Sequence, residues 1–312
     1  MAHDRRFRFG VQMSHTADGP SWAESARRAE ELGYSTLFIP DHFEDQFGPL
    51  VALTAAATAT TTLRVGALVL DNDYRHPVPL AKELATLDVV SGGRLEVGLG
   101  AGWMRTDYER SGIAYDPPGV RVDRMAEAID VLKGCFADGP FSYAGQHYAI
   151  DGYDNRPSPI QRPHPPLLLG GGGRRMLGIA AREGDIVGIN PSLHAGEVGA
   201  DAAADATAEA TDRKLGWVRE AAGDRFDDIE LNCLVLAVLV TDDQAGSAAL
   251  MGQMFGLDAD AALEVPHALI GTTDQIAEQI ERRRDRWGFS YWVVQADAME
   301  AMAPVVARLN GN

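Results

Sequence analysis

An acid and a base stand side by side in the segment Pro40-Asp41-His42-Phe43, directly after an apolar run at 37–39. The histidine side chain titrates near neutral pH, so His42 could donate or accept a proton in a reaction. A histidine in a surface loop would look the same in the sequence, and Asp41 could merely cap backbone N–H groups. The pair becomes a candidate site if the fold places it at a strand end where other polar residues converge.

Four consecutive glycines at 170–173 separate an apolar stretch from Arg174, Arg175 and a helical pattern. Free N–H groups at the start of a helix attract anions, and glycines let an anion approach the backbone closely. The two arginines would add positive charge. This run, called the glycine loop below, predicts a phosphate site; a flexible turn beside two solvated arginines is the alternative interpretation.

Several other motifs are ruled out by their spacing. The pattern Gly98-x-Gly100-x-Gly102 is followed by Trp103, so it does not match a Rossmann dinucleotide site. No Gly-Lys-Ser/Thr follows the glycine loop, which excludes a Walker A loop, and the chain has no Gly-x-Ser-x-Gly elbow. The eight histidines are scattered without ligand spacing, so we expect no metal site.

These residues lie on a chain in which a strand-like segment followed by a helical segment recurs about eight times. Such alternation predicts parallel strands with right-handed crossovers, and eight units favour an α/β fold of the closed (β/α)8 TIM barrel type. The predicted strands are 7–13, 35–42, 63–70, 94–100, 165–170, 185–190, 229–240 and 290–295.

Two segments interrupt this repeat. Residues 138–164 contain FSYAGQHYAI, which is typical of a small hairpin, and residues 242–269 follow the seventh strand. We interpret both as insertions over a single domain spanning 1–312, after strands four and seven. Because chemistry in such barrels occurs at the carboxyl ends of the strands, the residues just after each strand are the candidates. Packing for Trp103 and a local turn for Asn190 are the structural alternatives.

The composition limits the partners. The net charge of −17 argues against nucleic acid and against an anionic membrane surface. No apolar run approaches the ~20 residues of a membrane span, and the N-terminal segment has no signal-peptide core, so we expect a cytoplasmic protein. Cys135 and Cys233 match no metal or redox spacing. Abundant alanine, with arginine well above lysine, is typical of GC-rich bacteria such as actinobacteria.

The segments PDHF, RHPVPLAKELATLDVVSGGRLEVGLGAGW and PPLLLGGGGRRMLGIAAREGDIVGINP, taken together and in this order, resemble the bacterial luciferase-like superfamily. The similarity is greatest to the branch that uses the deazaflavin coenzyme F420. The resemblance implies a (β/α)8 barrel with the cofactor ring in its mouth. It also implies a non-prolyl cis peptide bond on the third strand, near Ala67 and Leu68.

The resemblance further assigns roles to individual residues. His42 would be the proton donor, with Asp41 as its orienting partner on the reactive side of the ring. The residues implied in cofactor binding are Asp41, Ala67, Leu68, Leu70, Asn72, Gly100, Ala101, Gly102 and Asn190, with Gly171, Gly172, Gly173 and Arg174 at the phosphate.

The implied activity is hydride transfer between F420 and a small organic substrate. Trp103 occupies the place where the sugar-phosphate dehydrogenases of this family carry an acidic proton donor, so an apolar or aromatic substrate is expected instead. Arg105, Arg174 and Arg175 would favour the anionic tail of F420. An FMN-dependent monooxygenase and a non-catalytic cofactor-binding paralogue are the alternatives. A homodimer through the alanine-rich segment VALTAAATAT is also implied.

Overall fold

The computed structural model describes residues 5–15, 19–197 and 199–312. Thirteen strands are found within these ranges. They are β1 (Arg8–Gln12), β2 (Thr36–Ile39), β3 (Arg64–Ala67), β4 (Leu70–Asp71), β5 (Leu95–Gly100), β6 (Phe141–Ala144), β7 (Ala149–Tyr153), β8 (Leu167–Gly171), β9 (Ile186–Ile189), β10 (Glu230–Leu234), β11 (Ala237–Val240), β12 (Ala268–Gly271) and β13 (Phe289–Gln295).

Twelve α-helices connect the described strands. They are α1 (Trp22–Glu31), α2 (Pro49–Ala59), α3 (Pro77–Val90), α4 (Arg105–Ser111), α5 (Pro118–Phe136), α6 (Arg174–Glu183), α7 (Ala200–Ala204), α8 (Ala208–Ala222), α9 (Gln244–Phe255), α10 (Ala259–Glu264), α11 (Thr273–Trp287) and α12 (Met299–Leu309).

The large sheet closes on itself. Its strands run in the order β3-β2-β1-β13-β10-β9-β8-β5-β4, every pairing is parallel, and β3 also pairs with β5. Counting β3 and β4 as one interrupted strand, eight strands form a barrel surrounded by helices. The prediction of a (β/α)8 TIM barrel is confirmed.

The predicted third strand, 63–70, is not continuous. It divides into β3 and β4 around a cis peptide bond between Leu68 and Val69. The cis bond is non-prolyl, as the resemblance implies, but it lies one residue beyond Ala67–Leu68. An unbroken apolar run cannot reveal such an interruption, because the side chains on both sides of it are equally apolar.

The predicted seventh strand, 229–240, is also two strands. Only β10 belongs to the barrel, whereas β11 leaves it and pairs with β12 in a separate two-stranded parallel sheet. The second insertion therefore includes β11 and β12 and is wider than 242–269. The first insertion does contain the predicted hairpin, formed by antiparallel β6 and β7.

Local signals set several helix ends correctly. Ser21 and Glu24 form a capping box at α1, and Pro77 occupies the first turn of α3. Gly92 and Gly93 follow α3 with φ of 69° and 82°, as expected for residues that end a helix. Among the described helices, none is long and apolar enough to cross a membrane.

The core has two layers. The larger lies between the strands and the surrounding helices, and the smaller fills the barrel interior around Phe38, Leu168, Ile186, Tyr291 and Val293. Cys135 and Cys233 are both buried, and both are free thiols. Leu68 and Val69 pack on this interior layer at the place where the candidate site lies.

Candidate active site

An apolar floor lies at the centre of the barrel mouth. Leu68 and Val69 are half-buried there and pack on the buried interior layer, whereas the neighbouring Ala67 and Leu70 are fully buried. The Gln12 side-chain amide donates to the Leu68 carbonyl oxygen at 2.8 Å, and Gln295 donates to Gln12 at 3.1 Å. The glutamines therefore hold the backbone that carries this floor.

Strand β5 passes so close to the floor that two of its residues must be glycine. A Cβ at Gly98 would overlap the Ala67 carbonyl oxygen, and one at Gly100 would lie 2.6 Å from a methyl group of Val69. After the strand, Gly102 turns with a φ of 74°, and a Cβ there would overlap the Tyr108 hydroxyl. Gly100, Ala101 and Gly102 thus bring backbone, rather than side chains, to the rim.

His42 lies at this rim and is held by an aspartate from another segment. Its Nδ1 atom is 2.7 Å from Oδ2 of Asp107 on α4. Since a carboxylate accepts, Nδ1 carries the hydrogen of this bond and Nε2 is the nitrogen left for exchange. Asp107 also accepts from the Phe43 backbone N–H at 3.2 Å and from the Tyr74 hydroxyl at 3.2 Å. The imidazole is 22% exposed, whereas Asp107 is 3% exposed.

Asp41 is not the partner of His42, which corrects the expectation stated above. Its carboxylate accepts two hydrogen bonds from Arg75, at 2.5 and 2.9 Å, and a third from the Asp71 backbone N–H at 3.0 Å. These bonds tie the loop after β2 to the segment after β4. Asp41 therefore positions the rim, and Asp107 orients the histidine.

A second aspartate, Asp71, lies beneath the turn at Gly102. Its carboxylate accepts from the Tyr108 hydroxyl, at 2.9 and 3.1 Å, and from the Asp73 backbone N–H at 2.9 Å. Burial, reinforced by the charges of Asp73 and Asp41, raises the pKa of Asp71 to about 6. Asp107 on α4 thus holds the loop after β2, and the adjacent Tyr108 holds the segment at the end of β4.

Trp103 forms one wall beside the histidine. Its ring meets the His42 ring edge-on, with centroids 5.5 Å apart. The Tyr115 hydroxyl donates to the Trp103 carbonyl oxygen at 3.0 Å, which fixes the backbone at this point. Phe43, which is 51% exposed, packs against Tyr74 with centroids 4.5 Å apart. Aromatic rings therefore border the side of the mouth that holds His42.

The glycine loop ends β8 and begins α6. Gly173 is the N-cap residue of α6, and no side chain accepts a hydrogen bond from the N–H groups of the first turn. A Cβ at Gly172 would overlap the backbone nitrogen of Ser192, so this loop packs directly on the segment after β9. Asn190 donates its backbone N–H to the Gly171 carbonyl oxygen at 3.1 Å. The start of α6 can thus present backbone donors to an anion.

The arginines beside the glycine loop are engaged elsewhere. Arg174 pairs with Glu220 at 2.8 Å, and Arg175 pairs with Asp123, all four side chains being about half exposed or more. Arg105 donates to the Ala195 carbonyl oxygen at 3.1 Å. The phosphate site predicted from the sequence therefore rests on backbone N–H groups, and the side chain of Arg174 would have to leave Glu220 to contribute.

Two further predicted residues have structural partners. Asn72 is buried and its side chain donates to the Tyr148 hydroxyl at 3.4 Å, which links the rim to the hairpin insertion. Asn190 is half-buried beside Gly188. Within the described ranges, no three His, Cys, Asp or Glu side chains are grouped to hold a metal ion.

Sequence reasoning missed Asp107 and Gln12. Asp107 lies one helical turn after Trp103 in a charged segment, and nothing in its immediate neighbours marks it as the partner of a residue 65 positions earlier. Gln12 is the last residue of β1, and its position at a strand end was the available signal.

Comparison with known proteins identifies the family. The family model for luciferase-like monooxygenases matches residues 6–291, and the chain belongs to this family. Members of the family are oxidoreductases and monooxygenases. The solved structure of the coenzyme F420-dependent tetrahydromethanopterin reductase from Methanopyrus kandleri superposes with a TM-score of 0.77 at 19% identity, covering 98% of this chain and 99% of that one.

Curated relatives include a monooxygenase and a reductase. An FMNH2-dependent dimethylsulfone monooxygenase from Pseudomonas putida is 33% identical over 187 residues, 56% of this chain and 51% of that protein. A 5,10-methylenetetrahydromethanopterin reductase from Archaeoglobus fulgidus is 31% identical over 166 residues, 53% of this chain and 47% of that protein. The chain thus spans about half the length of these two relatives.

Proposed function

We propose that this protein is an F420-dependent oxidoreductase that acts on a small organic substrate of apolar or aromatic character. The observation that carries the proposal is the His42–Asp107 pair at the rim of an open apolar floor. A planar ring needs a flat apolar surface, and the half-buried Leu68 and Val69 offer one. The glycine loop offers backbone donors for the phosphate, so the residues present fit a deazaflavin.

The residues that would hold the cofactor follow from this fit. Leu68 and Val69 would lie beneath the ring, with Gly100, Ala101 and Gly102 beside it. Gly172, Gly173 and Arg174 would bind the phosphate through their backbone N–H groups, whereas the N–H of Gly171 is used in the pairing of β8 with β9. When bound, the deazaflavin supplies two-electron hydride chemistry, and the protein supplies position and electrostatics.

The protein's own contribution is proton transfer at one atom. Asp107 fixes the His42 ring with Nδ1–H directed at the carboxylate, so Nε2 is the nitrogen that gives a proton to the substrate. Trp103 covers one edge of the ring and limits water there. Asp41 and Arg75 keep the supporting loops together.

A specific observation keeps an FMN-dependent monooxygenase as the second candidate. The anionic tail of F420 would need positive charge near the phosphate, yet Arg174 and Arg175 are paired with Glu220 and Asp123. FMN has no such tail. A protein that binds a cofactor but does not turn over is the third candidate, which the intact His42–Asp107 pair disfavours.

Parallel equilibrium titrations of the apoprotein with F420 and FMN test the assignment. Cofactor fluorescence or absorbance reports binding. The proposal expects F420 to bind at least tenfold more tightly than FMN. Tighter binding of FMN would overturn the F420 assignment and direct substrate screening to oxygen-dependent chemistry with a reductase. Binding of neither would remove the functional proposal altogether.

The proposed assembly is a homodimer in the cytoplasm. Helix α2 carries no charged residue, and Val51 on its outer face is 80% exposed. An apolar helix is normally covered, so a second copy packed on this face would account for its composition. Light scattering on the purified protein should give twice the monomer mass of 33.5 kDa, and Val51→Glu should reduce it to the monomer mass.

A further inference from the structure

A buried lysine lies behind the glycine loop, outside the residues discussed so far. The Lys214 side chain on α8 is 1% exposed, and its Nζ atom is 2.7 Å from Oδ2 of Asp205. The same ammonium donates to the Asp205 carbonyl oxygen at 2.6 Å. Lysine is seldom buried this deeply unless it is paired. The buried pair with Asp205 therefore points to a structural role for Lys214 that an exposed lysine would not have.

Asp205 passes this constraint to the segment after β9. Its Oδ2 atom accepts the Ser192 backbone N–H at 2.8 Å. Ser192 and Pro191 are the residues on which Gly172 packs without room for a Cβ. The contacts therefore form one chain from Lys214 through Asp205 and Ser192 to the middle of the glycine loop.

The negative charge of Asp205 also affects the proposed phosphate site. A carboxylate this close to a phosphate site would repel the phosphate unless a cation neutralised it. Lys214 neutralises it from the buried side, whereas Arg213, which is 51% exposed, binds the other carboxylate oxygen at 2.9 Å from the solvent side. Water screens the outer pair more strongly than the buried pair.

We infer that Lys214 and Asp205 are positioning residues for the cofactor phosphate, which they hold in place by fixing Ser192 against Gly172. This inference rests on the proposed function. Neither side chain touches the cofactor in this scheme. Lys214 sets the backbone that supports the glycine loop and cancels the negative charge behind it.

Cofactor pairs with and without the phosphate test this role. FMN is compared with riboflavin, which lacks only the phosphate, and F420 with its 8-hydroxy-5-deazariboflavin core, which lacks the phosphate and the anionic tail attached to it, in titrations of the wild type, Lys214→Met and the control Arg213→Ala. In Lys214→Met we expect about tenfold weaker binding of the phosphate-bearing member. Binding of the phosphate-free member should change less than twofold, and Arg213→Ala should change neither.

Each outcome separates the inference from the proposed function. Equal weakening of both members in Lys214→Met would mean a general structural role and would overturn the inference, as would unchanged binding of both. If Lys214→Met does not fold, Lys214→Gln, which keeps a polar end but removes the cation, supplies the same comparison. Failure of the proposed function would instead appear in the wild type, as no preference for either phosphate-bearing cofactor over its phosphate-free core.

Discussion

Both ends of the barrel bury networks of charged side chains, and the two networks differ in how many of their acids are paired with bases. At the amino end, Glu96 on β5 is 1% exposed and bonds to Arg8 at 2.5 Å, Arg64 at 2.7 Å and the Tyr291 hydroxyl at 3.0 Å. Burial alone would raise the pKa of Glu96, but the two arginines outweigh it and lower the pKa. Arg8 also pairs with Glu230.

At the carboxyl end, the acids exceed the bases that pair with them. Asp41 pairs with Arg75 and Asp73 pairs with Arg124, but Asp71 has no cationic partner among the described residues, and Asp107 has only an imidazole. The pKa of Asp71 rises instead of falling, chiefly because the carboxyl is buried. The amino end thus balances its buried carboxylate with arginines, whereas the carboxyl end leaves one buried carboxyl without an arginine or lysine partner among the described residues.

The largest expected effect is on activity at the carboxyl end. His42→Gln removes the proposed proton donor while keeping a polar side chain beside Asp107. We expect kcat to fall by about 10²- to 10⁴-fold, the usual contribution of a general acid. Steady-state assays with reduced F420 and a substrate identified by screening measure this, with cofactor affinity as the control. A kcat within threefold of the wild type would remove His42 from the chemistry.

The matching change at the amino end should affect stability and not chemistry. Glu96→Gln leaves Arg8 and Arg64 without the buried carboxylate that they share. Loss of one partner in a buried network typically costs about 3–5 kcal/mol in free energy of unfolding. Urea unfolding measures it. Glu300→Gln is the control, because its pair with Arg28 is exposed and should contribute much less to stability. Similar losses in the two variants would contradict the comparison.

The raised pKa of Asp71 predicts a pH dependence of stability. The folded protein binds this proton up to a pH of about 6, whereas the unfolded chain releases it near 3.8. Between these values the folded state holds more protons, so the free energy of unfolding decreases as the pH rises. The full change is about 3 kcal/mol, since one pKa unit corresponds to about 1.4 kcal/mol.

Asp71→Asn should remove this contribution. Urea unfolding at several pH values from 4 to 7 should give a smaller decrease for the variant than for the wild type. Parallel curves for the two proteins would show that Asp71 does not carry the raised pKa.

The smallest expected effect tests how Asp107 acts. Asp107→Asn keeps the size of the side chain and an oxygen for His42 but replaces the carboxylate that orients the ring with a neutral amide. We expect kcat to fall by about 10- to 100-fold, as for other residues that orient an essential group, with KM and cofactor affinity unchanged. Equal changes in kcat and cofactor affinity would indicate that Asp107 only holds the loops together.

Features that depend on neighbouring residues could be predicted from the sequence. The alternation of strands and helices gave the barrel, and the capping box at Ser21 and the proline at 77 gave the helix starts. The strand ends placed His42 at the rim. The hairpin insertion could also be predicted, because both of its strands and their turn lie within one short segment.

Features that depend on distant contacts could not be predicted. The partner of His42 is 65 residues away, and the partners of Arg174 and Arg175 lie 46 and 52 residues away. The separation of β11 from β10 depends on pairing with β12, about 30 residues later. In each case the sequence near the residue is compatible with several partners, and packing selects one.

A crystal structure of the protein with F420 would show the proposed cofactor site itself. We expect the ring to lie on Leu68 and Val69, facing His42, and the phosphate on the backbone N–H groups of the glycine loop, with Nδ1 of His42 still bonded to Asp107. A ring bound outside the barrel mouth, or a phosphate away from the start of α6, would contradict this expectation.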